Sequence, residues 1–120
     1  MNHEINKDQV ADILKIVLCI SAKDGVLSDT EIETSREEFP AFFNKEISNK
    51  QLENILDEFF NSDQQIESYL ETITNDDLKL PILQLSFLSA SSDGLDIKEN
   101  IAFHKALSIW EFGLEEVIND

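Results

Sequence analysis

Two short acidic segments of this chain resemble each other and could bind a cation. Residues 22–31 read AKDGVLSDTE and residues 91–99 read SSDGLDIKE, so an Asp-Gly pair recurs after 69 residues. Each pair follows an apolar stretch that predicts a helix, and an Asp at a helix C-terminus costs about 0.3 to 1 kcal/mol because it faces the negative end of the helix dipole. A bound divalent cation would offset that cost, which makes Asp24 and Asp93 candidate ligands. A hydrogen bond from an amide or from Lys23 would also offset it, and Asp-Gly is an ordinary turn dipeptide.

Much of the repeated pattern has a structural explanation. Ser28 with Glu31, and Asp96 with Glu99, fit the capping box, in which the first side chain caps a helix and the Glu accepts a hydrogen bond from the cap amide. All three glycines, Gly25, Gly94 and Gly113, fall just after a predicted helix end, where a left-handed residue is favoured. Only the Asp before the first two glycines is left without a structural role.

An EF-hand calcium loop does not fit either segment. With Gly25 at the sixth loop position, Glu31 occupies the twelfth, but Ile20 and Ala22 fall at the first and third positions. Those side chains supply no oxygen ligand. The second segment has Asn100 at its twelfth position, so any metal site would have to be shared between the two segments.

Other site chemistry has little support. One Cys and two His residues far apart exclude a Cys/His zinc site, and Ile101, three residues before His104, breaks the Glu-x-x-His pattern of a diiron bundle. Neither a glycine-rich phosphate loop nor a nucleophile motif is present. We expect Cys19 to be a buried structural thiol and His104 to be a packed or surface residue. The sequence therefore predicts a protein that is not an enzyme.

The charge of the chain restricts its partners. The 120 residues include 25 acidic and only 9 basic ones, with a formal net charge of -16. Nucleic acid is excluded as a partner because phosphate contacts need clustered Lys and Arg. Cations and basic proteins are favoured. The start of the chain lacks a signal-peptide pattern and no stretch is long enough to span a membrane, so we expect a cytoplasmic protein.

Hydrophobic residues recur at helical spacing along nearly the whole chain, and no stretch alternates like a strand. The first half is predicted to contain a helix from near Asn6 or Asp8 to Gly25 and a helix from Asp29 to Phe39 that Pro40 stops. A short apolar turn is expected at Ala41, Phe42 and Phe43. The next helix is capped by Ser48 or Asn49 and has an apolar inner face made of Leu52, Ile55, Leu56, Phe59 and Phe60.

The second half continues the helical pattern. It is predicted to contain a short helix with Ile66, Tyr69, Leu70 and Ile73, followed by a break at Asn75–Asp77. A central helix is expected over Leu78–Ala90, with Pro81 in its first turn. The last long helix is expected over Ile97–Trp110, with Ile101, Phe103, Leu107 and Trp110 facing inward, and a short acidic helix follows Gly113. The expected fold is all-α: one domain over residues 1–120, a compact bundle of about seven helices, with residues 1–7 as a flexible tail.

A helix ending in Ala-x-Asp-Gly, followed by a small polar cap and Glu and occurring twice, resembles the TerB-like domains of tellurite-resistance and related stress-response systems. The match is best over residues 21–31 (SAKDGVLSDTE), and in the second copy Ser92 replaces an Ala-like residue. The resemblance implies two related helix-turn-helix units whose acidic corners meet. It also implies a metal site at Asp24, Glu31, Asp93 and Glu99.

Two hypotheses about function follow. In the first, a divalent cation such as calcium or magnesium neutralises the clustered carboxylates of a stress-response module and controls the docking of a protein partner, basic or membrane-associated. In the second, the acidic face binds a basic protein without any metal. Neither hypothesis involves a small-molecule substrate.

Overall fold

The protein is built from helices. A computed structural model describes residues 5–22, 27–63, 65–92 and 100–118, and this part of the chain contains no β-strand. Its helices are α1 (Lys7–Ser21), α2 (Asp29–Phe42), α3 (Asn49–Phe60), α4 (Ile66–Leu70), a short 3-10 helix (Asp76–Leu78), α5 (Lys79–Ser91), α6 (Ile101–Trp110) and α7 (Leu114–Ile118). The predicted all-α class is confirmed.

Side-chain caps start the first three helices. The Asn6 side chain accepts a hydrogen bond from the Gln9 amide, and the Gln9 side chain accepts one from the Asn6 amide. Ser28 and Glu31 form the predicted capping box at the start of α2. Ser48 caps α3, as one of the two predicted alternatives. Each cap satisfies amide groups that have no partner inside the helix.

The predicted central helix is α5. It packs against α1, α2, α6 and α7, and its residues Ile82, Leu83 and Leu85 are fully buried. A helix that is apolar on nearly all sides needs neighbours on nearly all sides, so the position of α5 follows from its composition. Pro81 lies in the first turn of α5, as predicted, where its missing amide proton costs nothing.

Two predicted helix ends are wrong. Helix α1 ends at Ser21 rather than at Gly25, because Ala22 is already extended, with ψ 133°. Helix α2 continues through Pro40 to Phe42. A proline in the last turn removes only one helical hydrogen bond, and the Phe43 amide still donates to the carbonyl of Phe39, at 2.9 Å. Phe43 is fully buried, as the predicted apolar turn required.

The start of α6 and two inward residues also differ from the prediction. Helix α6 begins at Ile101, four residues after the predicted Ile97, with Asn100 as its N-cap, and the proposed Asp96–Glu99 capping box lies outside the described residues. Ile101 is 73% exposed and Phe60 is 48% exposed. On a helix, Ile101 is about 200° from the buried Phe103, so the two side chains cannot share one face.

The left-handed residue after α6 is not the predicted one. Glu111 adopts φ 60° and ψ 46°, and its backbone closes the helix. A Cβ on Gly113 would lie 3.5 Å from Glu116 Oε1, an ordinary contact. The Gly113 amide instead donates to that oxygen at 2.9 Å and helps to start α7.

The part of the predicted tail that the structure describes is packed. Ile5 is 7% exposed and Asn6 caps α1, so residues 5–7 are attached to the bundle. Residues 1–4 lie outside the described range. Across the described ranges, no helix has both the length and the apolar character needed to cross a membrane.

Candidate functional site

Only one of the four predicted metal ligands lies in the described part of the chain. Glu31 is in the first turn of α2 and is 5% exposed. Asp24, Asp93 and Glu99 lie outside the described residues. The helix ends on either side of these three residues are described, and they give the location of the candidate site.

The carboxylate of Glu31 is already engaged in capping. Its Oε1 accepts hydrogen bonds from the Ser28 amide at 3.0 Å and from Ser28 Oγ at 3.1 Å, while Ser28 Oγ accepts one from the Glu31 amide at 3.1 Å. A cation at Glu31 would have to bind through Oε2 or break the capping box. Glu31 thus holds the start of α2 in place, whatever else it binds.

Three buried serines join α1, α2 and α5 beside this cap. Ser21 Oγ donates to Ser89 Oγ at 2.9 Å, and Ser35 Oγ donates to the Glu31 carbonyl at 2.8 Å. The hydroxyls of Ser35 and Ser89 lie 2.6 Å apart. All three serines are fully buried. Since every buried hydroxyl needs a partner, this network fixes how the three helices meet.

An asparagine brings the start of α6 to the same place. The Asn100 side-chain amide donates to the carbonyl of Ile20, one residue before the end of α1, and its Oδ1 accepts from the Phe103 amide at 2.8 Å. Asn100 is 7% exposed. One side chain therefore both caps α6 and ties it to α1.

These contacts place the ends of two chain connections at one corner of the bundle, which we call the serine corner and define by Ser21, Ser35, Ser89 and Asn100. The connection 22–28 joins α1 to α2, and the longer connection 92–100 joins α5 to α6. Both leave from and return to the serine corner. The helix ends that flank the two Asp-Gly pairs therefore lie together, although the pairs are 69 residues apart in sequence.

The chemistry of the serine corner is structural. The serine hydroxyls bond to one another and to a carbonyl oxygen rather than to a base that could activate them. No buried side-chain nitrogen or oxygen atom of the described residues lacks a hydrogen-bond partner. No group of three or more His, Cys, Asp or Glu residues suited to a metal occurs within the described ranges.

No member of this corner stood out in the sequence as a site residue. Ser21 entered only as the first residue of the 21–31 match, and Asn100 only at the twelfth position of a calcium loop that does not fit. The available signal was a small hydroxyl residue on an otherwise buried helix face. Such a residue needs a partner, but the sequence does not identify which one.

A second polar feature is an open groove between α1 and α3, which we call the α1–α3 groove. Its volume is about 570 Å³, and its lining consists of Lys7, Asp8, Ala11, Asp12, Lys15, Ser48, Lys50, Gln51, Asn54, Ile55 and Glu58. An ion pair crosses it, with Lys15 Nζ 3.1 Å from Glu58 Oε1. Partial burial raises the pKa of the Asp12 carboxyl above its ordinary value of 3.8; Lys15 opposes the rise, while Asp8 and Glu58 add to it.

The single cysteine and the α6 histidine have the positions expected of them. Cys19 is 8% exposed. Burial raises the pKa of its thiol from 9.0 to about 11, with a further rise from Glu67 and an opposing effect from Lys105. His104 is exposed, and its ring meets the Phe103 ring edge-on.

Comparison of the chain with protein-family models, with curated proteins and with solved structures finds no match.

Proposed function

We propose that the protein is a non-enzymatic, cytoplasmic stress-response module of the TerB-like kind. In this proposal Asp24, Glu31, Asp93 and Glu99 bind one divalent cation, and the bound cation controls which protein partner docks on the acidic surface. The observation that carries the proposal is the serine corner, which brings together the ends of both connections that contain the Asp-Gly pairs.

The physical argument has two parts. Ser21 and Ser89 are hydrogen-bonded at 2.9 Å across 68 residues of sequence, so the two acidic connections start from adjacent helix ends. A chain with a net charge of -16 repels itself, and a cation shared by carboxylates from both connections would reduce that repulsion. A cation bound there would link α1–α2 to α5–α6, the two helix pairs that the TerB-like resemblance treats as related units.

A second candidate function has its own observation. Because the Glu31 Oε1 atom accepts two hydrogen bonds from Ser28, this proposed ligand already has a structural role. This favours a metal-independent module, in which the acidic surface binds a basic protein and the Asp-Gly pairs only form turns. Such binding would weaken with added salt of any kind.

Thermal unfolding of the metal-stripped protein separates the two candidates. Calcium, magnesium, manganese and zinc are compared with sodium chloride at matched ionic strength, because any salt screens the excess negative charge. The variants are Asp24→Asn and Asp93→Asn. Asp57→Asn is the matched control, since Asp57 is an exposed carboxylate on α3 and its loss changes the charge equally.

The metal-binding proposal expects one divalent ion to raise the unfolding midpoint of the parent and of Asp57→Asn but not of the other two variants. A ligand at 100 times its Kd stabilises the folded state by about 2.7 kcal/mol, which is easily measured. Equal effects of divalent and monovalent salts would overturn it. Salt-dependent binding of a Lys-rich peptide would then support the metal-independent module.

A further inference from the structure

The α1–α3 groove differs in charge from the rest of the chain. Lys7, Lys15 and Lys50 are one third of the nine basic residues, and all three line this groove. With three carboxylates also in the lining, the formal charges of the groove cancel, whereas the whole chain carries -16. The groove is therefore a place where an anionic group can approach this acidic protein.

The two helices run in the same direction along the groove. The lining takes residues 7–15 from α1 and residues 48–58 from α3 and its N-cap, and it includes no residue beyond the Lys15–Glu58 ion pair on either helix, so each helix lines the groove from its start to that pair. The Lys15–Glu58 ion pair agrees with this arrangement, because each partner lies eight residues after a lysine of the groove. Lys7 and Lys50 thus share one end of the groove, about 12 Å along their helices from the ion pair.

Positive charge at that end is not neutralised by an ion pair. Lys15 pairs with Glu58, but neither Lys7 nor Lys50 forms a salt bridge with any residue in the described ranges. Both lie in the first turns of their helices, where the helix dipole adds positive potential. Two ammonium groups therefore face the groove without a carboxylate partner.

The negative charge in the middle of the groove is only partly balanced, because Lys15, which favours the ionised form of the Asp12 carboxyl, is shared with Glu58. Asp12 is half-buried, and within the described ranges it forms neither an ion pair nor a side-chain hydrogen bond. Its carboxyl lies near Asp8 and Glu58, and Lys15 is engaged with Glu58. Asp12 is five residues from Lys7, or roughly 8 Å along α1. The apolar side chains of Ala11 and Ile55 lie between these charged groups in the lining.

We propose that the α1–α3 groove binds a zwitterionic ligand of the amino-acid or short-peptide class. Its carboxylate would contact Lys7 and Lys50, its ammonium group would contact Asp12, and the methylene chain between them would lie on Ala11 and Ile55. A compound with its two charges roughly 6 to 8 Å apart matches the spacing along α1, and 6-aminohexanoate and the end of a peptide terminating in lysine both have this form. A volume of about 570 Å³ is within the usual range for small-ligand sites and also accommodates a peptide end.

This site is independent of the proposed metal site, because the groove follows the first half of α1 and the serine corner lies at the last residue of that helix. It also differs from the sequence-based expectation, which included no small molecule. The groove residues alone support this proposal, and the metal site plays no part in it.

Calorimetric titration with three probes tests the proposal. The probes are 6-aminohexanoate, hexanoate without the ammonium group, and hexylamine without the carboxylate. We expect 6-aminohexanoate to bind at least tenfold more tightly than either of the others. A tripeptide Gly-Gly-Lys identifies the source of the ligand, since tighter binding than 6-aminohexanoate indicates a peptide end and weaker binding indicates a free amino acid.

Variants then assign the binding to the groove. Lys50→Gln and Asp12→Asn should each weaken binding of 6-aminohexanoate at least tenfold, while Lys45→Gln, an exposed lysine outside the groove, and Asp24→Asn should leave it unchanged. Far-ultraviolet circular dichroism checks that each variant is folded. Equal binding of all three probes, no binding of any, or equal binding by the groove variants and the parent would overturn the proposal.

Discussion

The two ends of α1 use polar side chains in opposite ways. At its C-terminal end, Ser21 is fully buried and its hydroxyl is hydrogen-bonded to Ser89. At its N-terminal end, Lys7 and Asp12 line an open groove and form no ion pair within the described ranges. The first end is neutral and has all its hydrogen bonds, so it holds helices together. At the second end, Lys7 and Asp12 are charged and have no ion-pair partner among the described residues, so this end is the better place to look for a ligand.

The difference shows that burial, rather than polarity, decides what a polar residue does. A buried hydroxyl without a partner costs about 1 to 3 kcal/mol, so the inside of the bundle retains only polar groups that pair with one another. A charged group beside water can remain unpaired because water solvates it. Four measurements test this difference between the two ends of α1.

The largest expected effect concerns Cys19 at the buried end of α1. With its thiol pKa raised by burial to about 11, the thiolate at neutral pH should be roughly 100-fold rarer than for an ordinary thiol of pKa 9.0. We expect native Cys19 to react with a disulfide reagent at least 100-fold more slowly than the protein unfolded in guanidinium. An exposed thiol from Ser68→Cys in a Cys19→Ala background is the control. Native and unfolded rates within tenfold of each other would show that this end of α1 opens readily.

The next effect concerns Asn100. Asn100→Ala removes both the α6 cap and the bond to the Ile20 carbonyl, and should lower the free energy of unfolding by about 1 to 3 kcal/mol in urea titrations. Asn75→Ala is the control, because Asn75 caps only the short 3-10 helix at the surface, accepting from the Asp77 amide at 3.0 Å. Equal losses for the two variants would mean that the link between α6 and α1 adds no stability.

A smaller effect is expected for Ser89. Ser89→Ala deprives the Ser21 hydroxyl of its acceptor and should cost about 1 kcal/mol or more. Ser86→Ala is the matched control on the same helix, since Ser86 is also fully buried but donates only to Ile82 of its own helix, at 2.7 Å. Combining Ser21→Ala with Ser89→Ala should cost less than the two single changes added together, because both remove the same bond. Additive losses would contradict a shared network.

The smallest effect concerns Asp12 in the groove. Its pKa is raised in the folded state by burial and by Asp8 and Glu58, against Lys15, so the ionised form destabilises the fold above that pKa. Asp12→Asn should therefore stabilise the protein at pH 7, by a few tenths of a kcal/mol as for other solvent-screened charges. The gain should vanish near pH 3, below the ordinary pKa of 3.8, because the Asp12 carboxyl is then protonated in both the folded and the unfolded protein. A variant that is less stable than the parent at pH 7 would show that the Asp12 carboxylate already has a stabilising partner.

Local features of the bundle were predictable from the sequence. The helical spacing of apolar residues predicted the segments that became α1 to α7, and Ser28 with Glu31 predicted the start of α2, because a cap involves residues only three positions apart. Two errors came from packing that the sequence does not show. Pro40 was taken as a helix end and Ile101 as inward, but the helix axis and its packed face are fixed by neighbours such as the fully buried Phe39 and Phe103.

The candidate sites could be predicted only in part. The sequence identified two similar acidic segments, and the structure brings the helix ends around them to one corner. The sequence did not indicate that Ser21 would contact Ser89, or that Lys15 of α1 would contact Glu58 of α3. These pairs are separated by tens of residues, and their contact depends on which faces of two helices pack together.

Composition and residues within about one helical turn of each other are enough to specify the all-helical class, the start of α2 at Ser28, the central place of α5 and the acidity of the chain. It is the docking of the helices that brings four helix ends to the serine corner and three of the nine lysines and arginines to the α1–α3 groove. The physical reason is that the docking of helices is a cooperative result of the whole core. A single helix specifies which of its faces must be buried, but not which neighbour will bury it.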